Sequence, residues 1–112
     1  MKKKKYGVDI MSNTSYLKGY HMERDIIKRL ESVGYVVLRS GKSKFPDGIA
    51  VSKTSITLPK IFFWESKWNK FISKEEKQMA DSIKIKSGLP FLVFYKKDHK
   101  IRWYEYGDKH KE

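Results

Sequence analysis

Apolar and polar positions alternate with two different periods along this chain. From Tyr16 onward, Met22, Ile26, Ile27, Leu30 and Val33 recur at three- and four-residue spacing, which predicts a helix with one apolar stripe. Thr14 or Ser15 is a fitting cap for its start, and Gly34 supplies a left-handed stop. "YVVLR" (Tyr35 to Arg39) is short, β-branched and unbroken, which predicts a strand covered on both faces. "SGKSKFP" follows as a basic loop, "DGIAVS" as a second strand and "KTSITLP" as a turn region. "KIFFWESKW" is a third strand, strongly apolar until it ends in charge. Ser73-Lys74-Glu75-Glu76 has the form of a capping box for a polar helix running to Ser87, closed by Gly88 and Pro90. "FLVFY" and "IRWYEY" complete the pattern as strands around the charged turn "KKDHK". One helix, three strands, a helix and two strands make an α/β domain on a mixed five-stranded sheet flanked by helices.

The 112 residues suffice for one such domain. Residues 1–15, with the Lys2 to Lys5 run, are expected to form a basic flexible arm, residues 16–107 the domain, and residues 108–112 a polar tail. The sequence has no cysteine, which excludes a disulfide framework and thiolate metal sites, and no membrane-length apolar segment. A soluble intracellular protein is expected. Its net charge of +12, from 25 basic and 13 acidic residues, argues against a heat-adapted surface of ion-pair networks, which needs both signs. Nucleic acid, whose phosphates release counterions to such a surface, is the expected partner.

Against this basic background, the acids at the borders of apolar runs stand out. Glu65 and Lys67 lie two apart on the third strand and so share a face. Asp47, at the start of the neighbouring strand, can lie beside Glu65. Two carboxylates so close are costly unless a cation separates them, and hard oxygen donors suit magnesium. A lysine beside that cation would face a scissile phosphate or its attacking water, the parts of a metal-dependent phosphodiesterase. Acid-x-Lys also occurs at Glu75/Lys77 and Asp98/Lys100, but only Glu65/Lys67 closes an apolar strand and follows a Pro46-Asp47 pair. Glu23 borders the helical stripe, and its position alone suggests no more than the edge of an amphipathic helix.

Taken in order, Lys18-Gly19, Glu23-Arg24, Gly34, Arg39-Ser40, Ser43, Pro46-Asp47 and Glu65-Ser66-Lys67 resemble the archaeal Holliday junction resolvases and their viral relatives, within the PD-(D/E)xK nuclease superfamily. The resemblance spans about Lys18 to Tyr106. It implies a restriction-endonuclease-like core and a Mg²⁺-dependent homodimer, with Mn²⁺ able to substitute, that cuts four-way DNA junctions on two opposed strands and leaves 5′-phosphate and 3′-hydroxyl ends. Asp47 and Glu65 match the metal-binding carboxylates, with the Ser66 carbonyl as a further ligand, and Lys67 matches the catalytic lysine. Glu23 matches an acid that completes the metal environment. Ser43 matches a serine of the mobile loop, and Arg24 and Arg39 match phosphate contacts, joined by Lys42 and Lys44 of the basic loop as DNA-binding residues. Gly48 departs from the family, where a larger apolar residue is usual, so a bend or bulge is expected there. A duplex-cutting restriction or repair nuclease and a non-catalytic architectural DNA-binding protein are the competing readings; no membrane or small-molecule partner is expected. His21, His99 and His110 lie away from the carboxylates and are not expected to be catalytic. Most aromatic residues are assigned to the core, while Trp68 and Phe71 are expected at the surface.

Overall fold

A computed structural model describes residues 6–41 and 44–107, with side chains from Gly19 onward. The chain order is α1 (Tyr6–Ser32), β1 (Val36–Arg39), β2 (Gly48–Val51), β3 (Ile61–Lys67), α2 (Lys74–Ser87), β4 (Phe91–Lys97) and β5 (Lys100–Glu105). The strands form one mixed sheet in the order β1-β2-β3-β4-β5, antiparallel throughout except for the parallel β3/β4 pair, which α2 connects. That crossover follows from sequence: a tight hairpin cannot join parallel neighbours, and the Ser73 capping box starts a helix where the chain must return.

The sheet has an apolar layer on each face. Met22, Ile26 and Leu30 of α1 pack with Tyr35, Ala50, Phe62, Trp64, Leu92 and Phe94. On the other face Ala80 of α2 meets Ile72, Phe91, Val93 and Tyr104. The unbroken run Phe91 to Phe94 is thereby explained, because alternate residues of β4 serve opposite layers. Gly34 and Gly88 take positive φ at the two helix ends, as their stop role requires.

Several expectations are corrected. α1 begins at Tyr6, not Tyr16, so Thr14 and Ser15 lie within the helix and not at its start. Propagation explains this: once the packed half of a helix is formed, each further turn adds hydrogen bonds at little cost, and no proline precedes Pro46 to halt it. The Lys2 to Lys5 run and residues 108–112 lie outside the described residues. Val33 leaves the helical stripe and is 58% exposed, because the helix ends at Ser32. β1 is not covered on both faces. It is an edge strand with Val36 63% and Leu38 58% exposed, since α2 lies over β4 and β5 and leaves the β1 side of that face open. Gly48 makes no bulge; it pairs in register with Arg39 and Trp64. A β-carbon there would collide with the Leu38 carbonyl oxygen and come within 3.0 Å of the Trp64 indole nitrogen, so close packing requires this glycine. Among the described residues no helix is long and apolar enough to cross a membrane.

Candidate active site

Asp47 is fixed by main-chain pairing before its carboxylate does anything. Its carbonyl accepts from the Ser40 N–H at 2.7 Å, and its own N–H donates to Glu65 Oε1 at 3.0 Å. In return, Asp47 Oδ2 accepts from the Ser66 N–H at 2.7 Å and the Ser66 hydroxyl at 2.6 Å. Each acid thus holds the strand that carries the other. Asp47 and Glu65 are locked side by side where β2 begins and β3 nears its end.

This lock occupies Oδ2 of Asp47 and Oε1 of Glu65. Asp47 Oδ1 and Glu65 Oε2 remain as the oxygens the pair can offer a cation, the latter 3.5 Å from Lys67 Nζ. Burial pushes the Glu65 carboxyl, 7% exposed, up to about 8; the neighbouring Asp47 charge adds to this, and Lys67 only partly opposes it. Asp47 is also raised, first by burial and then by the Glu23 charge, against the two Ser66 hydrogen bonds. Such a pair favours either a shared proton or a bound positive charge. Its donors are hard oxygens, which fits a hard divalent cation. Among the described residues, no three His, Cys, Asp or Glu side chains form a ready-made cage.

Lys67 closes the site. Its ammonium reaches Glu76 Oε2 at 2.6 Å and Glu65 Oε2 at 3.5 Å. Burial alone would pull it down, but hydrogen bonding and charge from Glu76 and Glu65 outweigh that and hold Lys67 above its ordinary value. Lys67 is therefore an ammonium, a donor and a fixed positive charge, and not a free amine.

The remaining expected residues divide. Glu23 lies at the rim, accepting from Arg39 Nε at 2.9 Å, and its charge is felt by Asp47. Arg39 is thus already paired at this edge. Arg24 turns to its own helix, donating to the Tyr20 hydroxyl at 2.9 Å with its guanidinium 5.5 Å from the ring centroid. Lys44 is exposed on the loop; Lys42 and Ser43 lie outside the described residues. Trp68 and Phe71 are exposed, as expected.

The fold matches that of a solved junction resolvase. That protein is Hjc from the archaeal hyperthermophile Archaeoglobus fulgidus, a Holliday junction resolvase, with a TM-score of 0.62 and 19% identity over 79% of this chain and 72% of that one. No family model matches the sequence, and no curated protein does. The likeness to Hjc is one of fold, and the chemistry rests on the side chains of this chain.

Glu76 was missed by sequence reasoning. Its role in the capping box accounts for the residue type completely, so the residue type alone carries no sign of a second partner. The available signal was geometric: a box glutamate folds back towards the N-cap, and here Ser73 follows the end of the Lys67 strand by only six residues.

Proposed function

We propose that this protein is a Mg²⁺-dependent, structure-selective endonuclease that resolves four-way DNA junctions. The observation that carries the reading is the interlocked Asp47/Glu65 pair with the Lys67 ammonium 3.5 Å from Glu65, on a fold that matches Hjc. Asp47, Glu65 and the Ser66 carbonyl would hold the cation, with Glu23 completing its surroundings through water. When bound, it supplies Lewis acidity to the scissile phosphate and acidifies water. Lys67, held protonated, donates to the attacking water or a phosphate oxygen and so fixes their line of approach. It does not act as the base. Arg24, Arg39, Lys42 and Lys44 contact flanking phosphates, and Ser43 belongs to the loop that meets the cut strand. Recognition rests on shape and backbone charge. A homodimer presents two such sites to the two-fold junction.

The test is cleavage of a synthetic four-way junction, a fork and a plain duplex by wild type, Asp47→Asn and Glu65→Gln, with Mg²⁺ or with chelator. Metal-dependent cutting of the junction, on paired strands and lost in both variants, is expected. Equal cutting of duplex would shift the substrate to that of a restriction or repair nuclease. Junction binding with no cutting in Mg²⁺ or Mn²⁺ would refute the enzyme.

A further inference from the structure

We infer that Glu76 is a positioning residue for Lys67: a carboxylate delivered by the first turn of α2 that keeps the lysine ammonium at the site while Glu65 is engaged with a cation. Its consequence for turnover rests on the nuclease reading above; the tether itself rests on geometry.

Among the described residues two acids touch Lys67, and they are not equivalent. Glu65 is the more distant, at 3.5 Å, and is also a candidate cation ligand. Any positive charge drawn to its oxygens competes with the ammonium. Glu76 is nearer, at 2.6 Å, and lies on the helix, away from Asp47's hydrogen-bonded lock. It is the partner that would still hold the lysine. Lys67 is the last residue of β3 and its long side chain is only partly buried, so without an anchor its entropy favours swinging into solvent.

The carboxylate of Glu76 is itself immobilised. Its Oε1 accepts from the Ser73 N–H at 2.9 Å while its Oε2 takes the lysine, and Ser73 Oγ accepts from the Glu76 N–H at 3.1 Å. One side chain therefore serves both as the return arm of a capping box and as the lysine's anchor. Burial works to raise its pKa, yet the Lys67 and Ser73 hydrogen bonds prevail and hold it below the ordinary carboxylate range. A helix start and a candidate catalytic group are thereby coupled through two oxygens of one residue.

The two roles separate by substitution. Ser73→Ala removes half the capping box and leaves the lysine contact; Glu76→Gln keeps a capping acceptor but offers Lys67 only a neutral oxygen or an amide; Glu76→Ala removes both. The first readout is the ¹H–¹⁵N correlation of the Lys67 ammonium in metal-free protein, observable when hydrogen bonding slows its exchange. It is expected in wild type and Ser73→Ala, weakened in Glu76→Gln and weakest in Glu76→Ala, where Glu65 alone remains at 3.5 Å. The second readout is junction cleavage in Mg²⁺, at a temperature where all four proteins are folded. There kcat is expected to fall roughly 10- to 100-fold in Glu76→Ala with KM little changed, less in Glu76→Gln, and not in Ser73→Ala. An undiminished Lys67 signal in Glu76→Ala overturns the tether, as does an equal loss of kcat in Ser73→Ala and Glu76→Ala. A wild type that cuts no DNA while the ammonium signals follow the stated order removes the nuclease reading and upholds the tether.

Discussion

Replacing Glu65 by Gln is expected to make the metal-free protein more stable at alkaline pH, although it removes a residue from the centre of the site. Burial and the Asp47 charge lift the Glu65 carboxyl from 4.5 to about 8. An acid whose value is raised on folding binds its proton more tightly when folded, so its contribution is full below the unfolded value. It is lost as pH rises from about 4.5 through about 8. That interval corresponds to a ceiling of about 5 kcal/mol, at about 1.4 kcal/mol per tenfold change in proton affinity. Relaxation around the new charge, and the share of the coupling borne by Asp47, bring the expected penalty to about 2–3 kcal/mol. Unfolding entropy of about 2 cal/mol/K per residue converts this to about 10 °C in Tm for a chain of this size. The glutamine keeps an oxygen for the Asp47 N–H and carries no charge. Thermal unfolding with chelator present should give nearly equal Tm values near pH 4 and a Glu65→Gln variant about 10 °C more stable at pH 9. Parallel Tm profiles for the two proteins would refute the strained pair.

Three further outcomes follow from particular contacts. Gly48→Ala forces a methyl against the Leu38 carbonyl oxygen and the Trp64 indole, and is expected to cost about 3 kcal/mol in chemical denaturation. Ser66→Ala removes one of two hydrogen bonds to Asp47 Oδ2 and leaves the N–H bond; about 1 kcal/mol of stability and, under the proposed function, about tenfold in Mg²⁺ affinity by calorimetry are the expected losses. Junction binding measured by fluorescence anisotropy is expected to weaken at least 10²-fold between 50 and 200 mM salt if several phosphates are contacted, roughly the scale of counterion release.

What sequence conveyed and what it hid divide along a physical line. Periodicity placed all five strands and the body of both helices, because alternation and the Ser73 capping box are local properties. The juxtaposition of Asp47 and Glu65 was legible too, since two strands joined by a short connection tend to be neighbours. Coverage was not legible. An apolar run such as "VVL" reads alike on a central strand and on an edge, and only the crossover of α2 decides which half of the sheet is covered. The start of α1 was hidden for a similar reason: Thr14 and Ser15 are good caps in isolation, and packing of the later turns sets whether the helix runs past them. Gly48 looked like a departure because its explanation lies in Trp64, sixteen residues away and directly across the ladder. Glu76 was hidden by having one sufficient local explanation.

The charge of the site runs opposite to that of the chain. Glu23, Asp47, Glu65 and Glu76 form a row in which successive acids feel one another, and among the described residues Arg39 and Lys67 are the cations paired with them. With every group ionised, four acids against two bases leave a formal deficit of two charges inside a protein of net charge +12. The remainder of the surface attracts a polyanion while this spot repels its phosphates. One divalent cation cancels the deficit, so under the proposed function DNA binding and phosphate approach to Lys67 are separable steps. Chelation is then expected to leave junction affinity in a gel-shift assay within a few-fold of its value in Ca²⁺, while abolishing cleavage. Asp47→Asn, which removes one of the repelling charges, is expected to bind the junction at least as tightly as wild type without metal and still not cut. Loss of binding on chelation by more than tenfold would show that the outlying basic residues do not hold DNA by themselves, and would place the cation in recognition as well as in chemistry.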